Sequence, residues 1–403
     1  MKKDNIPLES ANIFNAIDLF CGAGGLSLGA VRAGLNIVAG VELDLQALTT
    51  HTVNFPSSRH LRLDVAELSG KALLEAAGVS PGNLTALIGG PPCQGFSVMG
   101  LRQPDDIRNN LFGHFMRLVA ETLPIFFVAE NVPGIAHSAN APVLKKALSL
   151  VPKQYDVLPP IIVQGDNYGA PTSRKRLFFI GIDRSRLPMI AAEAFLPPTY
   201  VQQVNVEAAL KGLGVEVHPP DPTTDEGDHW HQVGALPESH FYSRVKDCIP
   251  KGIGDPGTVA RYKKKNEVNG HIGVVHRTDI SARYGALAPG EKDPVSRSVR
   301  LKLDGFCPTL RAGTGSEKGR RQAVRPIHPI ESRVITPREA ARLQGFPDWF
   351  LLPQTKWHSF RQIGNSVSPL VAEIVITALV QHLKSHLSLE KIQKPSPHLR
   401  KAA

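Results

Sequence analysis

The chain has 403 residues, 42% hydrophobic and 20% charged, the make-up of an ordinary globular protein with length for two domains and ample core. A formal net charge of +10 favours a polyanionic partner, whereas residues 1–10 lack an apolar signal core and no apolar run approaches a membrane span. The four cysteines, Cys21, Cys93, Cys248 and Cys307, form no Cys-x-x-Cys pair, which argues against a zinc or redox motif, and their wide spacing predicts a reducing, cytoplasmic setting.

Residues 13–19 read as a first strand, followed by Phe20-Cys21-Gly22-Ala23-Gly24-Gly25-Leu26 and a helical pattern to about residue 33. Strand, glycine turn and helix open a nucleotide-binding α/β unit, because glycines let the backbone approach a ligand and the helix start favours its polar groups. The turn is neither the dinucleotide fingerprint nor a P-loop, and alone it is a weak signal. A second strand, 36–41, ends in Glu42-Leu43-Asp44. Glu42 lies about 20 residues past the glycine turn, the spacing of a carboxylate that holds ribose hydroxyls; a solvated surface carboxylate is the common alternative and suits Asp44 better. A third short strand, 59–65, brings Asp64 to the same sheet edge, where an amino group such as that of adenine could be bound.

The fourth strand, 84–88, runs into Gly89-Gly90-Pro91-Pro92-Cys93-Gln94-Gly95-Phe96-Ser97. Two glycines and two prolines fix a turn, and Cys93 follows at the carboxyl end of the strand, the place of a nucleophile. Most free cysteines are inert core residues, but this is not core sequence. After a polar loop and a helix over 111–121, the apolar strand 124–129 ends in Glu130-Asn131-Val132, a candidate acid or base beside Cys93. A helix over 143–150 and a strand over 155–164 precede Thr172-Ser173-Arg174-Lys175-Arg176 and the strand 177–182. Arg174 and Arg176, two apart, share one side if that strand already begins there.

Residues 187–329 are rich in Pro, Gly and His, poor in helix periodicity, and carry basic clusters at 261–265 and 311–325. They read as a second domain of loops and short strands with a surface for nucleic acid, though a solvated face also explains such runs. Trp230 could stack on a base, a partly buried core residue being the commoner case. Helix signals return with Thr336 as N-cap, Pro337 at N1 and Glu339 completing a capping box. Gln362-Ile363-Gly364-Asn365-Ser366-Val367-Ser368-Pro369 opens an apolar helix over 370–383, and the basic remainder reads as frayed.

Together these stretches resemble the DNA cytosine-5 methyltransferases. The blocks Asp18 to Gly25, Glu42, Asp64, Pro91-Pro92-Cys93-Gln94, Glu130-Asn131-Val132 and Arg174-Lys175-Arg176 fall in the family's order, followed by 333–347 and 362–369. The whole series is very specific where each block alone is not. The resemblance implies an α/β fold, a Rossmann-like S-adenosylmethionine-dependent methyltransferase sheet with a smaller irregular target-recognition domain. It divides the chain into catalytic residues 1–186 and 330–384, target recognition at 187–329 and a disordered basic tail at 385–403.

It also implies roles. Phe20, Gly22, Gly24, Gly25, Leu26, Glu42, Leu43, Asp64, Val65, Pro91, Leu111, Asn365, Ser366 and Val367 would hold S-adenosylmethionine. Cys93 would attack the base, Glu130 would bond its N3, and Arg174 and Arg176 would lie near it. Gln94, Ser97, Thr309 and Leu310 would meet DNA, the last two as the family's Thr-Leu signature. Double-stranded DNA is the implied partner, with no membrane; a monomer suffices, and a restriction endonuclease would act separately. Thr172 departs from the Gln often found there. A tRNA methyltransferase on the same scaffold is the first rival, but its Cys-Phe-Thr signature is missing at Phe306-Cys307-Pro308. A non-catalytic DNA-binding relative is the second, opposed by the presence of Cys93, Glu130 and the cofactor carboxylates.

Overall fold

The structure, a computed structural model, describes residues 14–92, 111–215, 217, 230–312 and 325–393, the last four by backbone only. Cys93, Gln94 and Ser97 lie outside the described residues. Strands and helices alternate through the amino-terminal half as the apolar periodicity predicts. β1 (Asn15–Leu19), β2 (Asn36–Val41), β3 (Arg59–Leu61), β4 (Ala86–Gly89) and β5 (Phe126–Asn131) run parallel. They are joined through α1 (Gly25–Arg32), α2 (Leu45–Asn54), α3 (Gly70–Ala77) and α4 (Leu111–Thr122). Asp44 starts α2 by accepting from the N–H groups of Gln46 and Ala47, and Ser69 starts α3 by accepting from that of Ala72.

α5 (Ala141–Leu148) precedes β6 (Tyr155–Val157), β7 (Ile161–Gln164) and β8 (Lys175–Asp183). The sheet order is β3-β2-β1-β4-β5-β8-β6, with β7 also on β8, and β8 runs antiparallel to β5, β6 and β7. The single strand expected over 155–164 is therefore two, because Pro159 and Pro160 between them have no N–H to give a ladder.

Two cores flank the sheet. One lies under α3 and α4, with Leu73, Leu74, Phe112, Phe115 and Met116. The other lies under α1 and the carboxyl-terminal helix, and it extends without a break into residues 187–310. That region holds α6 (Val206–Leu210), β9 (Trp230–Gln232), α7 (His240–Tyr242), α8 (Pro256–Lys265), β10 (Glu267–Asn269) and α9 (Thr278–Gly285). The expectation of loops and short strands thus needs correction at α8 and α9. α8 buries only Thr258 and Tyr262, so it leaves no apolar repeat for the sequence to display. Lys263, Lys264 and Lys265 are exposed on its last turn, where the helix dipole favours cations. The guanidinium of Arg261 instead lies over the half-buried Trp230 ring at 4.5 Å and pairs with Glu267.

α10 (Pro337–Gln344) begins with the expected capping box of Thr336 and Glu339, and α11 (Lys356–Asn365) and α12 (Pro369–Gln393) complete the chain. Two fully buried arginines on α10 tie this return segment to the region before it. Arg338 donates to the carbonyls of Asn269, Pro347 and Phe350; Arg342 forks onto Asp348 at 2.7 and 2.6 Å and reaches the carbonyls of Ala209 and Lys211. α12 outruns its expected end at residue 383 and the boundary of the frayed tail, because Leu387 still packs on the core. Contrary to the sequence expectation, the segment Lys356–Leu389 is long and apolar enough to cross a bilayer. Its most apolar window is 78% buried in the protein, so the apolarity is that of a core helix.

Candidate active site

The strand order reverses between β1 and β4, and ligands of open α/β sheets bind outside the carboxyl ends of the strands at such a switch point. Here the loops after β1, β2, β4 and β5 meet. After β1 the chain adopts left-handed backbone at Phe20 (φ 59°), Gly22 (φ 55°) and Gly24 (φ 101°). An L side chain at Gly24 would also strike the Phe55 ring at 2.2 Å. Gly25 opens α1 and needs its bare Cα for another reason: a Cβ there would sit 2.3 Å from the Val367 carbonyl. This close approach brings Ser366 and Val367, between α11 and α12, against the glycine loop, and Gln344 holds the turn by donating to the Ser366 carbonyl at 2.7 Å.

Glu42 organises the loop from the end of β2. Its Oε2 accepts from the Gly22 N–H at 3.0 Å and its Oε1 from the Asp44 N–H at 2.9 Å. Burial raises its pKa, and those two N–H groups oppose the shift. Around it lie the half-buried Phe20 and Leu43, which is 56% exposed. A large apolar side chain presented beside a carboxylate with fixed oxygens fits a ligand carrying both an aromatic ring and hydroxyls, as an adenosine does. Asp64 is exposed at the same edge, accepting from the Ala66 N–H at 2.8 Å; Val65 is buried, its carbonyl held by Arg117 Nη2 at 3.0 Å. Pro91 is buried and Leu111 half-buried, while Asn365 is exposed at the end of α11. Leu26 is buried within α1, in the core behind the loop.

β4 and β5 pair in parallel with Gly89 opposite Ala129, so Gly90, just past the end of β4, lies beside Glu130, which stays in the sheet opposite Phe178 of β8. A Cβ on Gly90 would approach Glu130 Oε2 to 3.1 Å. Asn131, which sequence reasoning gave no role, donates from Nδ2 to the Pro91 carbonyl at 3.2 Å and so fixes the turn that leads to Cys93. Its place directly after Glu130 was the available signal. Glu130 is buried and its Oε1 lies 2.6 Å from Arg176 Nε, a close charge contact without hydrogen-bond alignment.

Arg174 precedes β8 and is buried, donating from Nη1 to the Leu310 carbonyl at 3.0 Å. Both arginines line one small cavity with Thr172, Val367 and Ser368, although β8 begins at Lys175 and not at Arg174, as the shared side had required. Leu310 is corrected: its side chain is buried in the core and does not face outward, whereas Thr309 beside it is exposed. Among the other cysteines, burial pushes the Cys21 and Cys307 thiols up, which disfavours their thiolates, and Arg244 Nη1 lies 2.8 Å from the Cys248 sulfur.

The profile of the C-5 cytosine-specific DNA methylases matches residues 14–381. The type II methyltransferase M.XorII of Xanthomonas oryzae pv. oryzae is 37% identical over 404 residues, 95% of this chain and 87% of the relative. M.DdeI of Desulfomicrobium norvegicum is 30% identical, over 89% and 86% of the two chains. Among solved structures, a candidate DNA modification methyltransferase encoded in an E. coli prophage is 45% identical with a TM-score of 0.82, covering 92% of this chain and 99% of that one. S. pombe Dnmt2, 16% identical with a TM-score of 0.56 over 93% of this chain and 99% of that one, shares the fold. The chain belongs to the C-5 cytosine-specific DNA methylase family and is a DNA (cytosine-5)-methyltransferase.

Proposed function

We propose that the enzyme methylates C5 of a cytosine turned out of duplex DNA, with Cys93 adding to C6, Glu130 bonded at N3 and S-adenosylmethionine as donor. The observation that carries this reading is the juxtaposition of the Gly90–Pro92 turn with Glu130, locked through Asn131. Cytosine C5 is too weak a nucleophile to take a methyl group unaided. A thiolate adding at C6 makes the ring an enamine, whose C5 can then attack. A thiol of pKa about 8.5 is only a few per cent ionised at neutral pH but is intrinsically reactive, so modest electrostatic help suffices.

Glu130 would bond N3 and the exocyclic amine and hold a proton at N3 while charge builds on the ring. Arg176, 2.6 Å from Glu130, keeps that carboxyl in place. Bound S-adenosylmethionine supplies an electrophilic methyl on a sulfonium. Glu42 would hold its ribose, Phe20, Leu43, Asp64 and Val65 its adenine, and the turn at 365–367 its other wall. After transfer a base removes the C5 proton and Cys93 leaves. A stacked base cannot be reached this way, so the target must be extruded.

Target recognition falls to residues 187–329, with the catalytic residues at 1–186 and 330–384. A monomer is sufficient, and a cognate restriction endonuclease would act separately. The test is Cys93→Ala assayed on duplex DNA with tRNA in parallel. Wild-type enzyme methylates the duplex only; the variant transfers nothing yet binds S-adenosylmethionine with unchanged affinity. Full methylation by the variant removes the mechanism.

A further inference from the structure

The segment that carries Thr309 is fastened to the strand that carries Arg176. Cys307 pairs with Thr172 in a parallel bridge: the Cys307 N–H donates to the Pro171 carbonyl at 3.0 Å and the Ser173 N–H donates to the Cys307 carbonyl at 3.0 Å. The fully buried Thr172 adds its hydroxyl, donating to the same carbonyl at 2.9 Å. Two residues on, Arg174 donates to the Leu310 carbonyl at 3.0 Å. The segment also touches the opposite wall, because a Cβ on Gly364 would meet the Ala312 nitrogen at 2.8 Å, directly before Asn365, Ser366 and Val367. Thr172, Arg174, Arg176 and Val367 line the same small cavity. Residues 307–312 therefore span from the arginine side of the base pocket to the turn that faces the glycine loop.

We propose that Thr172 is a positioning residue that couples recognition of the DNA sequence to the base pocket. Its hydroxyl ties the backbone of the recognition segment to the strand start that orients Arg174 and Arg176, so seating Thr309 on the correct sequence sets the pair Arg176–Glu130. The inference rests on the reading of Glu130 and Arg176 as the base pocket given above. A side chain with one hydroxyl and two branches suits the post. It is fully buried and stiff enough to aim its donor at one carbonyl. The Cys307 carbonyl keeps the Ser173 N–H when the hydroxyl is removed, so the loss is graded rather than complete.

The experiment compares wild type, Thr172→Val and Thr172→Ser on two duplexes: the recognised site, found first by bisulfite sequencing, and the same site with one base pair changed. The expected result for Thr172→Val is a fall of about three- to tenfold in kcat/KM on the recognised site, carried by kcat, with a smaller loss on the altered site. Discrimination between the two sites then narrows, Thr172→Ser restores it, and S-adenosylmethionine affinity is unchanged. Thr172→Ala, which removes the hydroxyl without adding bulk, gives the same narrowing if the valine variant folds poorly. Unchanged discrimination in these variants, or equal losses on both duplexes, overturns the proposal. An Arg176→Ala variant that methylates the recognised site as fast as wild type would instead overturn the reading of the pocket.

Discussion

Replacing Asp18 by Asn is expected to stabilise the protein in alkali and to leave it unchanged in acid. Asp18 sits on β1, fully buried beneath α1. The Ser27 hydroxyl donates to its Oδ2 at 2.5 Å, while Oδ1 is buried without a hydrogen-bond partner. Because the Ser27 proton points at Asp18, the Ser27 oxygen is left to accept from His51 Nε2 at 3.0 Å, and His51 Nδ1 then accepts from His60 Nε2 at 3.0 Å. Burial lowers the pKa of His51 to about 3 and also lowers that of His60, so the chain brings no positive charge to the carboxylate. Burial pushes the Asp18 carboxyl up from 3.8 to about 7, against the pull of Ser27 and with a push from the Glu42 charge. The folded protein thus holds an extra proton between those values. Its stability is full below pH 3.8 and declines as pH rises to about 7. A difference of about three units corresponds to about 4 kcal/mol at most. Asn keeps an acceptor for Ser27 and carries no charge. Urea unfolding of both proteins across the pH range should give curves that coincide near pH 4 and part by roughly 2–4 kcal/mol at pH 8, the variant being the more stable. A constant gap at all pH values, or a less stable variant at pH 8, would refute the argument.

Glu42→Gln puts an amide donor against one of two backbone N–H groups, so S-adenosylmethionine affinity measured by calorimetry should fall about ten- to a hundredfold; unaltered binding would detach Glu42 from the site. Gly25→Ala drives a methyl into the Val367 carbonyl and should cost about 1–3 kcal/mol in thermal unfolding, together with weaker cofactor binding. An unchanged melting temperature would show that the turn at 366–367 yields freely. Duplex affinity should fall steeply with salt, since exposed lysines such as Lys263 and Lys264 are available to phosphates; a flat response would count against them.

Much of the site was legible because it is built from strand ends. Gly22, Glu42, Gly90 and Glu130 each follow a short apolar run, and a parallel sheet brings such ends to one edge, where Asp64 joins them three residues past the mixed strand β3. The capping box at Thr336 and Glu339 is equally local. Contacts that join distant segments left no trace. Thr172 and Cys307 are 135 residues apart, and nothing in either neighbourhood announces the bridge. The burial of Leu310 depends on the same contact, so a Thr-Leu pair on an exposed loop and one stitched to β8 look alike in sequence. α8 escaped notice because its stripe is only two residues wide, and the length of α12 because Leu387 finds its partners in the tertiary core.

The proposed reaction turns on a bond between Cys93 and C6 of an extruded cytosine. A duplex carrying 5-fluorocytosine at the target position, incubated with enzyme and S-adenosylmethionine, tests it most directly, because fluorine at C5 blocks release of the thiol. Mass spectrometry should find a stable protein–DNA adduct, mapped to the peptide containing Cys93 and absent from Cys93→Ala. No adduct from an enzyme that methylates the unmodified duplex, or an adduct on another residue, would contradict it.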